Sequence, residues 1–188
     1  MKIIKIALLA LIFIMSFVLY RNIKKPMEFN EEKGIRYKVV IQKLKDVRTA
    51  EMAYKELKGQ FADNFDALVK SVKEDNFMVV KVIGNPDDTT QVIRRDTFYE
   101  PVLLKIFPPG YMIDSLSYVP YGNGAKFSIN AGEIERGKVK VKVFEISASN
   151  EIILNGLDEK YYNKKEGLQV GSMNDPTYTG NWEWFVFL

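Results

Sequence analysis

The sequence contains no cysteine and no histidine among its 188 residues. Without cysteine the chain forms no disulfide, offers no thiolate to a metal, and has no acceptor for the lipid of a lipoprotein. Without histidine it lacks the imidazole that serves most catalytic triads, acid–base sites and metal centres. The G-x-x-x-x-G-K-[ST], G-x-G-x-x-G and G-x-S-x-G patterns are also missing. These absences predict a protein that is not an enzyme and holds no cofactor or metal.

An excess of charge of one sign is missing as well. The 27 Lys and Arg residues nearly balance the 24 Asp and Glu residues, and both kinds are spread along the chain. A nucleic-acid-binding protein usually concentrates basic residues on one face, so we expect no nucleic-acid partner. The alternating lysines at positions 138, 140 and 142 are more typical of the solvated face of an exposed strand, where they discourage aggregation, than of a lipid or nucleic-acid site.

One long apolar run is present, near the N-terminus. Residues 6–20, IALLALIFIMSFVLY, carry no charge, and residues 3–20 together are long enough to span a hydrocarbon core of about 30 Å. The run ends without the small-residue cleavage site of a secretory signal. It therefore predicts an uncleaved, single-pass signal anchor over residues 1–25, in contact with the bilayer through residues 3–20. Basic residues flank the run on both sides, so charge alone leaves its orientation open.

Residues 37–73 form the second prominent pattern. Apolar residues recur at helical spacing up to Gly59, which predicts a long amphipathic helix that ends at this glycine. Asp63 or Asn64 then caps a second, shorter helix. Closer to the membrane, Pro26 predicts a kink or a short break, and Asn30 is a cap for the long helix.

Beyond residue 75 the pattern predicts strands and turns. The alternation in KVKVKVFEI is the clearest, and its valine face is expected to be buried. Residues 156–180 have no sustained period and predict a long loop. The predicted strands are 77–83, 91–95, 102–107, 125–131, 138–146, 152–154 and 182–188. The predicted fold is α+β, with residues 26–188 as one soluble domain, helical over 26–75 and mostly antiparallel β-sheet over 76–188.

Two acidic turns contain oxygen ligands that calcium could use. They lie at residues 85–89, NPDDT, and 174–177, NDPT. Neither has the alternating ligand positions of an EF-hand loop, and Asx-rich turns are usually only turns. No metal site is predicted in either stretch.

Residues 46–69, DVRTAEMAYKELKGQFADNFDALV, resemble the segment of type IV pilins and pseudopilins in which the long N-terminal helix ends. The resemblance implies a pilin-like domain on a membrane helix, with the N-terminus in the cytoplasm and the domain in the bacterial periplasm. The chain departs from the family pattern in having no glycine before Gly34 and no acidic residue before Glu28, so a prepilin-peptidase site is missing. The features that carry the resemblance are Asp46, Arg48, Ala50, Ala53, Tyr54, Gly59, Phe61, Leu68 and Val69.

These observations predict a non-enzymatic inner-membrane protein that is a subunit or accessory of an envelope assembly, such as secretion or pilus-like machinery, with other envelope proteins as partners. The predicted C-terminal strand is apolar on both faces, so it is either a core strand covered on both sides or a strand that joins the sheet of a partner. The alternative function is a membrane-tethered module that binds a small ligand, a glycan or a peptide through Tyr161, Tyr162 and Tyr178. The predicted partner-binding residues are Trp182, Trp184, Tyr178, Arg48 and Glu51.

Overall fold

A computed structural model of the chain describes residues 2–83 and 94–183. Its first element is α1, Lys2–Lys58, a helix of 57 residues and thus about 86 Å long at 1.5 Å per residue. In the part of the chain that the structure describes, α1 is the one helix long and apolar enough to cross a membrane, and its apolar window is wholly exposed. These features are compatible with single-pass membrane anchoring.

Helix α1 continues through Pro26 and Asn30, so a break at the proline and the cap at Asn30 are wrong, whereas a kink at Pro26 stays a prediction. Proline removes one helical hydrogen bond but leaves the flanking residues free to stay helical when tertiary contacts hold them. Those contacts follow at once. Phe29 is buried, and the Arg36 guanidinium donates hydrogen bonds to the carbonyls of Ile153 and Asn155.

The end of α1 and the start of the next helix are as predicted. Gly59 has a φ of +74°, which favours glycine, and its N–H donates to the Lys55 carbonyl at 2.8 Å. Helix α2, Phe65–Glu74, is capped by Asn64, whose side-chain oxygen accepts from the Ala67 N–H at 2.7 Å. The cap is therefore Asn64 rather than Asp63.

The first two strands form a separate antiparallel hairpin. Strand β1, Asn76–Ile83, pairs with β2, Arg94–Pro101, and Met78 stands opposite Tyr99. The strand predicted at 102–107 is wrong, because the chain forms the short helix α3, Val102–Ile106, at that point. The i, i+4 spacing of the helix turns both Val102 and Ile106 toward the core. A strand would place them on one face too, but it would form fewer local hydrogen bonds.

A three-stranded antiparallel sheet forms the other β-layer, in the order β3-β4-β5. Strand β3 is Ser128–Arg136, β4 is Val139–Ser149, and β5 is Gly167–Gly171. Strand β5 lies within the predicted loop 156–180, so that prediction is wrong over these five residues. Between β4 and β5 the chain forms α4, Asn150–Ile153, where a strand was predicted at 152–154. This helical turn buries Asn150 and Ile153 together.

Strand β4 confirms the predicted alternation but not the predicted buried face. Phe144 and Ile146, which follow the lysines on one face, are fully buried in the main core. On the valine face Val143 is buried, whereas Val139 at the start of the strand is 61% exposed. The lysine positions project past the core, where Lys142 donates to Glu133 on β3 at 2.6 Å.

The core lies between one face of α1, helix α2 and the β3-β4-β5 sheet. The fold is therefore α+β, as predicted. At the C-terminal end Trp182 and Glu183 lie in a turn rather than a strand, and residues 184–188 are outside the described part. The turn predicted at 85–89 and the strand residues predicted at 91–93 are also outside it. The division of the chain at residue 25 stays a prediction. The α1 residues at the centre of the core are Val40, Leu44, Val47 and Ala50.

Candidate interaction surfaces

The C-terminal segment is fastened to α1 through Arg48. Its guanidinium donates to the Tyr178 carbonyl at 3.2 Å and to the Glu183 carboxylate at 3.1 Å. The same carboxylate oxygen accepts from the Gly180 N–H at 3.3 Å, which closes the turn. In this structure the charge of Arg48 is thus paired within the chain.

Tyr178 and Trp182 take part in the same packing. The Tyr178 ring stacks on Phe144 with 5.7 Å between ring centroids and meets the edge of Phe61 at 5.5 Å. Its hydroxyl accepts from Lys55 at 3.1 Å and donates to the Lys142 carbonyl at 3.3 Å. Trp182 is only 6% exposed. Most of the surface of both aromatic side chains is therefore buried inside the domain.

Glu51 lies on α1 and is fully buried. One carboxylate oxygen accepts from the Ala62 N–H at 3.0 Å, and the other has no hydrogen-bond partner among the described residues. Burial raises the pKa of Glu51 to about 8, because water no longer stabilises the charged form; the nearby Asp63 adds to the rise and the Ala62 N–H opposes it. Glu51 is therefore neutral at pH 7 and exposes no surface to a neighbour.

The structure thus brings Arg48, Tyr178 and Trp182 to one place, where the C-terminal segment packs on α1. Glu51 lies one helical turn beyond Arg48 and beneath the surface, and Trp184 lies outside the described residues. A role of these residues in binding partners stays a prediction. What the structure shows is that aromatic and charged residues far apart in sequence hold the C-terminal segment in position.

The same segment closes one edge of the three-stranded sheet. The Asn181 side chain accepts from the Gln169 N–H at 3.1 Å and donates to the Gly167 carbonyl at 2.8 Å. Its backbone N–H donates to the Gln169 carbonyl, and Gly180 forms an isolated bridge with Val170. The outer edge of β5 is therefore paired with the chain's own C-terminal segment.

The β1–β2 hairpin, which we call the arm, exposes several large apolar side chains. Met78 and Tyr99 stand side by side on one face and are 65% and 70% exposed, and Phe98 on the opposite face is 47% exposed. Its base is covered, because Phe77 is buried, Val79 packs partly against the core, and the Lys105 ammonium lies 3.8 Å from the Phe77 ring centroid. Sequence reasoning missed this surface. Its signal was apolar residues at successive strand positions, which place apolar side chains on both faces.

A cleft of about 940 Å³ lies between α1 and strands β4 and β5. Tyr37 and Trp182 contribute aromatic surface to it, and Lys33 and Lys165 contribute positive charge. Tyr161 and Tyr162 do not line this cleft; they pack on Phe29, with ring centroids 5.3 Å and 6.0 Å away, and their role as ligand contacts stays a prediction. The other lining residues include Ile41, Ser147, Ser149, Leu168 and Gln169.

One pair of side chains has the spacing of a nucleophile and a base. The Lys43 ammonium lies 2.9 Å from the Ser115 hydroxyl, and burial lowers the pKa of Lys43. The Ser115 hydroxyl, however, donates to the Met112 carbonyl at 2.8 Å, and the Ser115 and Tyr118 N–H groups are also hydrogen-bonded. These groups offer no free donor to an oxyanion, so the pair serves to hold this turn against α1.

Metal ligation finds no support in the described residues. No cluster of three or more carboxylates there has the geometry to hold an ion. In the described acidic turn Asp175 binds the Arg136 guanidinium, so its charge is already paired.

No protein-family model, curated protein or solved structure matches this chain. The class that the fold and these surfaces define is an α+β domain carried on a helix that is long and apolar enough to cross a membrane.

Proposed function

We propose that the chain is a non-enzymatic, single-pass membrane protein that acts as a subunit or accessory component of a bacterial envelope assembly. In this proposal the pilin-like domain lies in the periplasm, the N-terminus is cytoplasmic, and partners bind through protein–protein contacts. The observation that carries it is the arm, a hairpin that exposes large apolar side chains on both faces. The envelope assemblies that we have in mind are secretion machinery and pilus-like machinery.

A two-stranded hairpin is only marginally stable in water by itself, and exposed apolar patches usually mark an interaction site. Met78 and Tyr99 lie on one face of the arm and Phe98 on the other, so one flat partner cannot cover all three. A partner that receives the arm in an apolar groove would cover both faces. Insertion of the arm into such a groove would let the partner recognise this subunit by its shape and its apolar side chains.

The position of the arm favours a protein over the bilayer as its cover. Phe77 at its base lies beside Thr49 and Met52 of α1, and the apolar run of α1 ends at Tyr20. Twenty-nine residues of helix, at 1.5 Å each, separate Tyr20 from Thr49 by about 44 Å. With α1 along the membrane normal, lipid does not reach the arm.

The envelope location and the pilin-like character are supported by the resemblance over residues 46–69. The observed arrangement agrees with what that resemblance implies near the end of α1: a long helix, a glycine at its end, and a short second helix on an antiparallel sheet.

The test is co-purification of companions with tagged full-length chain from native membranes. Met78→Lys places a charge on the arm, and Met112→Lys makes the same change at a residue that is 75% exposed elsewhere. We expect defined companions with the wild type and with Met112→Lys, and their loss with Met78→Lys. Companions retained equally by both variants would remove the arm from the account.

A second candidate function is the binding of a small ligand, a glycan or a peptide, favoured by the cleft between α1 and the sheet. Its volume of about 940 Å³ is within the range of ligand pockets. Ser147→Trp would fill it. A ligand from a panel of glycans and short peptides should raise the melting temperature of the wild type and leave that of Ser147→Trp unchanged. Equal shifts in both proteins would place binding elsewhere.

A further inference from the structure

Among the residues that the structure describes, strand β3 leaves one edge of the three-stranded sheet open. It pairs with β4 along its other edge, and no described residue forms a backbone hydrogen bond to its outer edge. The preceding pairing, in which the Phe127 N–H donates to the Ser117 carbonyl, stops just before β3 begins. An open edge presents a row of N–H and C=O groups to which another strand can add.

The first half of this edge is suited to an apolar strand. Residues 128–132, SINAG, contain no charge and no proline, whereas charged residues begin at Glu133. Ile129 and Ala131 are partly buried on the core face, and Gly132 and Ile134 lie on the other face. A strand added along residues 128–132 would meet Ile129 and Ala131 on the core face and the uncharged Ser128 and Asn130 on the other.

The chain contains a segment with that character. Residues 184–188, WFVFL, lie outside the described part, and their sequence has no charge and no proline. In an extended conformation they would be apolar on both faces. This segment follows Glu183, which Arg48 holds on α1, and Gly180, which bridges to β5. The last described residues before it therefore lie at the edge of the sheet opposite to β3.

The length of residues 184–188 decides whether they can reach β3 of their own chain or only β3 of another copy. From the position beside β5 to the position outside β3 there are four strand spacings, about 19 Å at 4.8 Å each. Five extended residues reach about 17 Å. Residues 184–188 therefore cannot both cross their own sheet and lie along their own β3, whereas the open edge of another copy is not limited in this way.

We propose that residues 184–188 of one copy pair with residues 128–132 of a second copy and add a strand to its sheet. The inference rests on the proposed function and names a second copy of this chain among the partners. The contact is heterologous, because each copy gives a segment at one edge and receives one at the other, so it repeats along a row of copies. Anchoring by α1 in one membrane keeps the copies parallel.

The absence of native cysteine makes the contact directly measurable. Two full-length chains with different tags are produced together, one with Asn130→Cys and the other with Phe185→Cys, and membranes are treated with a short bismaleimide. The control replaces Asn130→Cys by Lys38→Cys, an exposed position on α1. We expect at least about tenfold more product carrying both tags with Asn130→Cys, because pairing raises the local thiol concentration.

A second variant tests the strand itself. Val186→Pro in the Phe185→Cys chain removes an amide donor from the added strand and should reduce the two-tag product to the level of the Lys38→Cys control. Equal products with Asn130→Cys and Lys38→Cys would overturn the inference. So would a product in which Phe185→Cys is joined only to a different protein. Companions that still co-purify in either case would leave the proposed function standing.

Discussion

Replacing the buried Glu51 by glutamine should remove a specific pH dependence from the stability of the domain. The glutamine side chain has nearly the same shape, and its oxygen can still accept the hydrogen bond from the Ala62 N–H. The second carboxylate oxygen of Glu51, which has no hydrogen-bond partner among the described residues, is replaced by the amide NH₂ group of glutamine. The substitution therefore changes the titration while leaving the packing in place.

The magnitude follows from the pKa of Glu51, about 8 in the folded chain against an ordinary value of 4.5. The folded state keeps the proton over a range in which the unfolded state releases it, so the free energy of unfolding is highest below pH 4.5 and falls up to pH 8. At 1.36 kcal/mol per pH unit the full loss is on the order of 5 kcal/mol. That is a large fraction of the 5 to 15 kcal/mol, roughly, that stabilises a typical domain.

The assay is thermal unfolding of the full-length chain in mild detergent between pH 5 and pH 9. About 4 kcal/mol of this loss falls within the assayed range, because part of it occurs below pH 5, so the wild-type melting temperature should fall by roughly 8 to 16 °C as the pH rises. Glu51→Gln should be nearly flat, and the exposed control Glu56→Gln should follow the wild type. Asp75, whose pKa its hydrogen bond with Lys58 lowers below 3.8, does not titrate in this range. Parallel curves for wild type and Glu51→Gln would refute the reasoning.

Three further substitutions test local features by thermal unfolding. Asn64→Ala should destabilise the domain by about 1 kcal/mol, because the α2 cap is lost, and Asp63→Ala should cost less; equal losses would place the cap wrongly. Gly59→Ala should cost about 1 kcal/mol because of the positive φ, and an unchanged melting temperature would contradict that conformation. Asn181→Ala should cost about 1 kcal/mol by opening the β5 edge, whereas Asn174→Ala should be neutral. Equal melting temperatures for that pair would contradict the edge closure.

The parts of the fold that local chemistry determines could be predicted from the sequence. Gly59 ends α1 because its φ is positive, and Asn64 begins α2 because its side chain satisfies a free N–H group. Runs of β-branched residues predict strands β1 and β4, and in β4 the alternation of side chains adds to the signal. In each case the residues that carry the signal are neighbours in sequence.

The errors occur where distant residues decide the local structure. The apolar runs at 102–107 and 152–154 fit a short helix as well as a strand, and packing selected the helix. Strand β5 is formed by pairing with β4, twenty or so residues away, and has little signal of its own. Helix α1 continues past Pro26 because Arg36, which follows the proline in the helix, is hydrogen-bonded to the carbonyls of Ile153 and Asn155.

The interaction surfaces show the same division. The sequence indicated that Arg48, Tyr178 and Trp182 matter, but not that Arg48 binds Glu183, which is 135 positions away. The arm could not be recognised as exposed, because an apolar strand is ordinarily covered, and only the fold shows that nothing within the described residues covers Met78 and Tyr99.

The measurement that tests the central claim most directly is the native size of the wild-type protein, extracted from its own membrane in mild detergent and analysed by size separation with mass spectrometry. The account predicts a particle much larger than the chain of 21.7 kDa with its detergent, containing defined companion proteins, further copies of the chain, or both. Migration as a single chain, with no companion at any detergent concentration that preserves the fold, would contradict it.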